Sequence, residues 1–233
     1  MPSMYEIYQQ HRTEYDQLVA AEDHLRALPA FLRSAVDWRD RTVLEGGTGT
    51  GRVTELYAAE VRRITCLELE PHMLEAAAKR LSAFADRITF QAADNLNLPQ
   101  LPEKADLFIE GWAWGHSIVD HPGTVEATTE RLFENIRKNL TPGAELILIE
   151  TMGTHRHEPG APLPRLEAFY QLLKKKYGMK ETILSTDYQF PTVQEAADIL
   201  GFFFGEEMKR DILEADSPLV PEWTGVWTGY LQS

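Results

Sequence analysis

One cysteine, Cys66, stands among the 233 residues. An internal disulfide is therefore excluded, and the composition fits a reducing compartment. No apolar run is long enough to span a bilayer. Met1 to Gln10 is polar and lacks the basic-then-apolar pattern of a secretory signal. The expectation is a cytoplasmic protein with no membrane partner. Positive charge is also scarce: 23 Lys and Arg stand against 36 Asp and Glu, for a net charge of -13. A nucleic-acid partner needs cations to displace counterions from phosphates. The one lysine run, Lys174–Lys176, ends an apparent helix, where cations favour the dipole. No nucleic acid is expected, and a small-molecule substrate is. Nothing in the sequence fixes an oligomeric state.

What is present is an alternation of strand-like and helix-like segments. Before residue 40 the apolar residues, among them Tyr5, Tyr8, Tyr15, Leu18 and Leu28, fall near helical spacing. Then come a strand at Thr42–Glu45, a helix at Arg52–Val61, a strand at Ile64–Leu69 and a helix at Pro71–Phe84. Strands at Ile88–Ala92 and Ala105–Ile109 follow. A helix at Val125–Leu140, a turn at Thr141-Pro142-Gly143 and a strand at Glu145–Ile149 complete the series. Such alternation implies parallel strands joined by right-handed crossovers, with helices on both faces. Ligands in these sheets bind outside the carboxyl ends of the strands. Beyond that, His155–Pro164 reads as a loop, Leu166–Tyr177 as a helix and Ile183–Phe190 as a strand. Thr192 and Glu195 form a capping-box pattern opening a helix that contains Phe202, Phe203 and Phe204; Trp223–Leu231 reads as a last strand.

The first strand runs into "VLEGGTGTG", residues 43–51, with glycines at 46, 47, 49 and 51. The dinucleotide fingerprint G-x-G-x-x-G, counted from Gly47, would need its third glycine at Arg52, a long charged residue. That argues against a nicotinamide dehydrogenase. No Lys-Ser or Lys-Thr pair follows the glycines, so a triphosphate loop is absent as well. A glycine-rich loop without those marks still lets backbone approach a compact ligand closely.

Glu45-Gly46-Gly47-Thr48-Gly49-Thr50-Gly51 resembles the first motif of the class I S-adenosylmethionine-dependent methyltransferases, E/D-x-G-x-G-x-G. "ITCLELEPHMLEAA" resembles the second, with Glu68 as the strand-end acid. "FQAADNLNLP" resembles the third, with Asp94. "ADLFIEGWAWGH" resembles the fourth strand and its loop, and "NIRKNLTPGAELILIE" the family's helix, Pro-Gly turn and fifth strand. The resemblance covers about residues 40 to 150. It implies a doubly wound, Rossmann-like, mostly parallel α/β sheet with N-terminal helices and a C-terminal helical insertion. Residues 1–40 would be a helical segment covering the site and 41–233 the cofactor-binding domain, with 152–215 on the substrate side or as a lid. It implies S-adenosylmethionine as cofactor. Gly46, Gly47, Thr48 and Gly49 would pass against it, and Glu45 would sit near its ammonium. Glu68 would hold the ribose, with Glu70 as runner-up, a residue better suited to capping the next helix. Leu69 is assigned to the cofactor, and Met73 would pack on the adenine. Asp94 would accept from its amino group, with a backbone N–H from Asn95 or Leu96; Glu110 is assigned to the cofactor as well.

Methyl transfer is an in-line displacement from a donor activated by its own charge, so the family has no universal catalytic residue. The loop after strand four should face the methyl group. Trp112 and Trp114 there are candidate walls of a substrate pocket, and His116 is a candidate general base. Tyr15, together with Tyr8 and His11, could cover the site from the first helix. Cys66 lies within a strand and reads as a core residue, which disfavours cytosine carbon-5 methylation. The Asp/Asn-Pro-Pro-aromatic pattern of amino methyltransferases is missing. Glu150-Thr151 stands where metal-dependent relatives carry Asp-Asn, and His155-Arg156-His157 runs into prolines, so no metal is expected. Two other readings remain: a protein or RNA methyltransferase, and a non-catalytic protein that binds S-adenosylmethionine or S-adenosylhomocysteine.

Overall fold

The computed structural model describes residues 12–232. The chain divides into two compact units. The larger holds Ala35–Thr151, Ala161–Thr182 and the residues from Gly225 onward. The smaller holds the residues up to Ser34, Met152–Gly160 and Ile183–Thr224. Tyr5, Tyr8 and His11 lie outside the described residues.

In chain order the elements are α1 (Arg12–Ala21), α2 (Ala27–Ala35), β1 (Thr42–Gly46), β2 (Arg63–Glu68), α3 (Pro71–Arg80), β3 (Ile88–Ala92), β4 (Ala105–Gly111), α4 (Trp114–Asp120) and α5 (Val125–Arg137). They continue with β5 (Leu140–Thr154), α6 (Pro164–Lys175), β6 (Lys180–Ser185), β7 (Tyr188–Gln189), α7 (Val193–Phe204), α8 (Glu206–Ala215), β8 (Leu219–Val220) and β9 (Glu222–Tyr230).

Seven strands form one sheet in the order β3-β2-β1-β4-β5-β9-β6. The pairs β1–β2, β1–β4, β2–β3 and β4–β5 are all parallel. Every residue of β1 is buried, as a central strand covered on both faces must be. With β2 on one side of β1 and β4 on the other, the strand order reverses there. The loops leaving β1 and β4 therefore share the crevice at the switch point. Gly46 lies opposite Leu67 on one side and Glu110 on the other.

In the larger unit an aromatic chain packs against the sheet: Phe108 to Trp114 at 5.3 Å, Trp114 to Phe133 at 5.1 Å and Phe133 stacked on Tyr177. Leu132, Phe133 and Ile136 supply the inward stripe of α5, and Thr124 caps it by accepting from the Ala127 amide. The smaller unit has its own core, in which Leu18 and Ala21 of α1 meet Tyr188, Phe190, Ala196, Ala197, Leu200, Ile212 and Val220. Phe203 and Met208 pack against that core. Thr192 caps α7 from its hydroxyl to the Glu195 amide at 3.1 Å.

Three segments differ from their sequence patterns. Residues 52–61 keep a helical spacing of buried residues, Val53, Tyr57, Ala58 and Val61, but only Thr54–Leu56 forms a short 3-10 turn. The Arg87 guanidinium donates to the carbonyls of Ala58, Ala59 and Val61, and so ends the segment from a distant part of the chain. α5 stops at Arg137, and Leu140 already pairs with Ala105 as the start of β5. Thr141–Ala144 forms a bulge before pairing resumes at Leu107 with Glu145. The strand expected over 183–190 is split into β6 and β7. Between them Thr186 donates its amide to Glu222 O, and the Asp187 carboxylate accepts from the Glu222 amide.

The cap on α7 is open to a direct check. Thr192→Ala should lower unfolding stability by about 1 kcal/mol in a urea melt of the whole chain, while Thr192→Ser should leave it nearly unchanged.

Candidate functional site

The crevice lies in the larger unit and is built from the loop after β1, the ends of β2 and β3, and the loop after β4. Gly47 and Gly49 adopt positive φ, at 69° and 57°, a region side chains with a Cβ enter at a cost. A Cβ on Gly47 would come within 2.2 Å of the Ala113 Cβ, whereas one on Gly49 would meet only the Met73 methyl, at 3.5 Å. The glycine loop is thus pressed against the loop after β4 at Gly47 and faces Met73 at Gly49.

Carboxylates hold these loops from the strand ends. Glu68 accepts from the Gly49 amide at 2.9 Å with one oxygen and from the Glu70 amide at 3.1 Å with the other. It both caps the turn and ties the glycine loop to β2. A carboxylate has about four lone-pair sites, so two of them remain for hydroxyl donors. Glu70 occupies the cap position of α3 without a side-chain capping bond; its carboxylate lies 3.7 Å from His72 Nδ1. Glu45 is buried and accepts from the Tyr57 hydroxyl, and Tyr57 in turn stacks on Trp38 with centroids 4.5 Å apart. Burial, opposed by the Tyr57 hydrogen bond, pushes the Glu45 carboxyl up to about 7.

Leu69 is 60% exposed beside the Glu68 turn, while Met73 is buried near Gly49. Asp94 accepts from the Leu96 amide at 2.8 Å. That amide is therefore committed to Asp94, and of the two amides considered for the adenine only that of Asn95 stays in the reading. The Asn95 side chain leans toward Gly46, whose added Cβ would meet its Oδ1 at 2.7 Å. That Oδ1 is buried and accepts no hydrogen bond.

The loop after β4 departs from expectation at two residues. Trp114 is wholly buried between Phe108 and Phe133. It is a core residue at the start of α4, not a wall of a substrate pocket. Glu110 is also wholly buried, and its Oε2 accepts from the amides of Ala113 and Trp114 at 3.0 and 3.1 Å. It supports the loop from beneath instead of offering a surface to a cofactor. Trp112 is half-buried with φ at 54°, an uncommon conformation for so large a residue. Its amide donates to Ile149 O at 2.7 Å, and the Arg52 guanidinium lies 4.0 Å over its ring. This cation–π contact ties the two loops together. His116 is exposed on α4. Tyr15 is half-buried on α1, in the smaller unit. Cys66 is buried inside β2, and burial pushes its thiol well up.

Sequence reasoning passed over several residues that the geometry brings in. The helical pattern over Arg52–Val61 does not single out Tyr57. Arg52 counted only as a missing glycine. Glu150 was weighed only against a metal site, yet its Oε1 accepts from the Gly115 amide at 2.5 Å. An acid at the end of an apolar strand was the available signal for Glu150. Gly115 as its partner lies 35 residues away.

Comparison with known proteins agrees with this picture. A family model described as a methyltransferase domain matches residues 43–143. An uncharacterised methyltransferase of Bacillus velezensis is 34% identical over 86 residues, which are 37% of this chain and 39% of that relative, so the match spans well under half of the relative's length. Among solved structures, the YcgJ protein of Bacillus subtilis superposes with a TM-score of 0.60 at 12% identity, covering 90% of this chain and all of that one. A protein named as the [4+2]-cyclase SpnF superposes with a TM-score of 0.55 at 17% identity, covering 88% of this chain and 80% of that one. Among the described residues no helix is long and apolar enough to cross a membrane.

The two glycines should respond differently to a methyl group. Gly49→Ala should lose about 1–2 kcal/mol through its left-handed backbone alone. Gly47→Ala should lose more, because its Cβ also collides with Ala113. Denaturant melts of the two variants would show the difference, and equal losses would contradict the packing described.

Proposed function

We propose that this chain, which matches a methyltransferase-domain model over residues 43–143 and resembles the class I S-adenosylmethionine-dependent methyltransferases, transfers a methyl group from S-adenosylmethionine to a small-molecule acceptor. The observation that carries the cofactor reading is the cradle itself. A left-handed glycine loop is tied by Glu68 to the end of β2, with Met73 beneath Gly49 and an unpaired Asn95 Oδ1 beside Gly46.

The residues fit the group. Glu68 keeps acceptor capacity for ribose hydroxyls after binding the Gly49 and Glu70 amides. Exposed Leu69 and buried Met73 offer apolar contact to a flat ring, to which a thioether adapts well. Asp94 has one oxygen engaged by Leu96 and one left for an amino donor. Glu45 acts from under the loop, where a nearby ammonium would favour its ionised form. When bound, the cofactor supplies an electrophilic methyl group on a sulfonium. The protein's own share is alignment and exclusion of water, and orientation alone is worth about 7–11 kcal/mol in such reactions.

The small-molecule acceptor rests on the net charge of -13. Trp112 is the candidate contact for it. Exposed His116 is the candidate base for an acceptor that must lose a proton. A second reading, cofactor binding without methyl transfer, draws on the fold being shared with a protein named as a cyclase. Product analysis across an acceptor panel separates the two.

The first test is thermal unfolding with S-adenosylmethionine, S-adenosylhomocysteine or NADH, on wild type and Glu68→Ala. A ligand at a hundred times its Kd stabilises by about 2.7 kcal/mol. Both adenosyl ligands should raise the wild-type Tm, and NADH should not. Glu68→Ala should melt lower without ligand, having lost its hold on the glycine loop, and should show no ligand shift. Failure of both adenosyl ligands to bind wild type would overturn the proposal.

A further inference from the structure

Two buried glutamates from neighbouring strands converge on one turn of backbone. Glu110, near the end of β4, takes the amides of Ala113 and Trp114; Glu150, on β5, takes the amide of Gly115. Three successive N–H groups at the start of α4 are thereby held by two carboxyl groups. Both side chains are inaccessible to solvent. The fit at Gly115 is close, since a Cβ there would lie 2.5 Å from Glu150 Oε2. Glu110 Oε1 is buried and accepts no hydrogen bond.

We propose that Glu110 and Glu150 are a pair of positioning residues that lock the loop Trp112–His116 against the glycine loop. The pair fixes Ala113, which abuts Gly47, and with it Trp112, which lies under Arg52. On the methyltransferase reading, this sets the acceptor side of the crevice before any ligand arrives.

The electrostatics follow from burial. Amides at a helix start favour a carboxylate, but here desolvation outweighs them. Burial pushes Glu110 up to about 8. It pushes Glu150 well above the usual carboxyl range, and the neighbouring Glu110 adds to that. Two adjacent carboxyls in such a site cannot both ionise without strong repulsion. The other titratable group facing the pair is Tyr170 of α6. Its hydroxyl donates to Thr151 O, and burial keeps it protonated throughout the neutral range. A carboxyl whose folded value is raised binds its proton more tightly in the native protein. Its contribution to stability is complete below the unfolded value near 4.5 and is lost as pH rises toward about 8. The loop should therefore loosen with rising pH.

Hydrogen exchange of the Ala113, Trp114 and Gly115 amides, followed by NMR on the full chain from pH 6 to 9 and corrected for intrinsic base catalysis, tests this without cofactor or substrate. In wild type their protection should fall by roughly tenfold or more across that range, while the amides of β1 hold theirs. Glu150→Gln keeps an oxygen for Gly115 but cannot ionise, so protection at Gly115 should fall less than in wild type, while Ala113 and Trp114, held by Glu110, should still lose theirs. Glu110→Ala should lose protection at every pH. A flat wild-type profile, or a fall at Gly115 in Glu150→Gln equal to that of wild type, overturns the proposal. Absence of S-adenosylmethionine binding in the same sample overturns the methyltransferase reading instead, and the exchange result stands apart from it.

Discussion

Loops at the carboxyl end of a parallel sheet carry amides that neither strand nor helix can bond, and a buried amide left unpaired is costly. In this protein glutamates from the strands below take up several of them. Glu68 holds Gly49 and Glu70, Glu110 holds Ala113 and Trp114, and Glu150 holds Gly115. Glu68 ends β2 and Glu110 stands one residue from the end of β4, while Glu150 reaches the start of α4 from within β5. The crevice is shaped by these contacts, and the Arg52–Trp112 stack closes the link between its two sides.

Placing so many acids under so little cation has an electrostatic consequence. Glu45, Glu110 and Glu150 are all driven toward the neutral form by burial, so the floor of the site carries less negative charge than its composition suggests. Glu68 and Asp94, nearer to solvent, keep their role as acceptors at the rim. A ligand that brings a positive group into such a site meets acids able to ionise in response, and a neutral one meets acids that remain protonated. Charge in this crevice is therefore a property of what occupies it.

Much of the larger unit was legible in the sequence because central strands covered on both faces must be continuously apolar. β1 and the start of β4 follow directly from that rule, and the spacing of Gly49 and Glu68 placed an acid beside the glycine loop. What was hidden depended on partners far along the chain. Arg87 cuts short the helical pattern at 52–61, and Glu222 breaks the expected strand at Thr186 and Asp187. Trp114 was ambiguous for a different reason. An aromatic residue in a loop suits a pocket wall or a core equally well, and it is the turn into α4, set by Glu110, that sends it inward. Glu150 was visible as a strand-end acid, but its bond to Gly115 could not be read from spacing.

The smaller unit is assembled from three separated stretches of chain, and that order matters during synthesis. Leu18 and Ala21 are made well before the residues that cover them, Tyr188 to Val220. At about 5–20 residues per second, their apolar face waits roughly 10–40 seconds for its partners. The larger unit's first five strands can pair in that interval, so the nascent chain passes through a state with a nearly complete sheet and an unburied N-terminal helix. The vulnerable interval for this unit lies between the two, and it falls on a helix made long before the residues that shelter it.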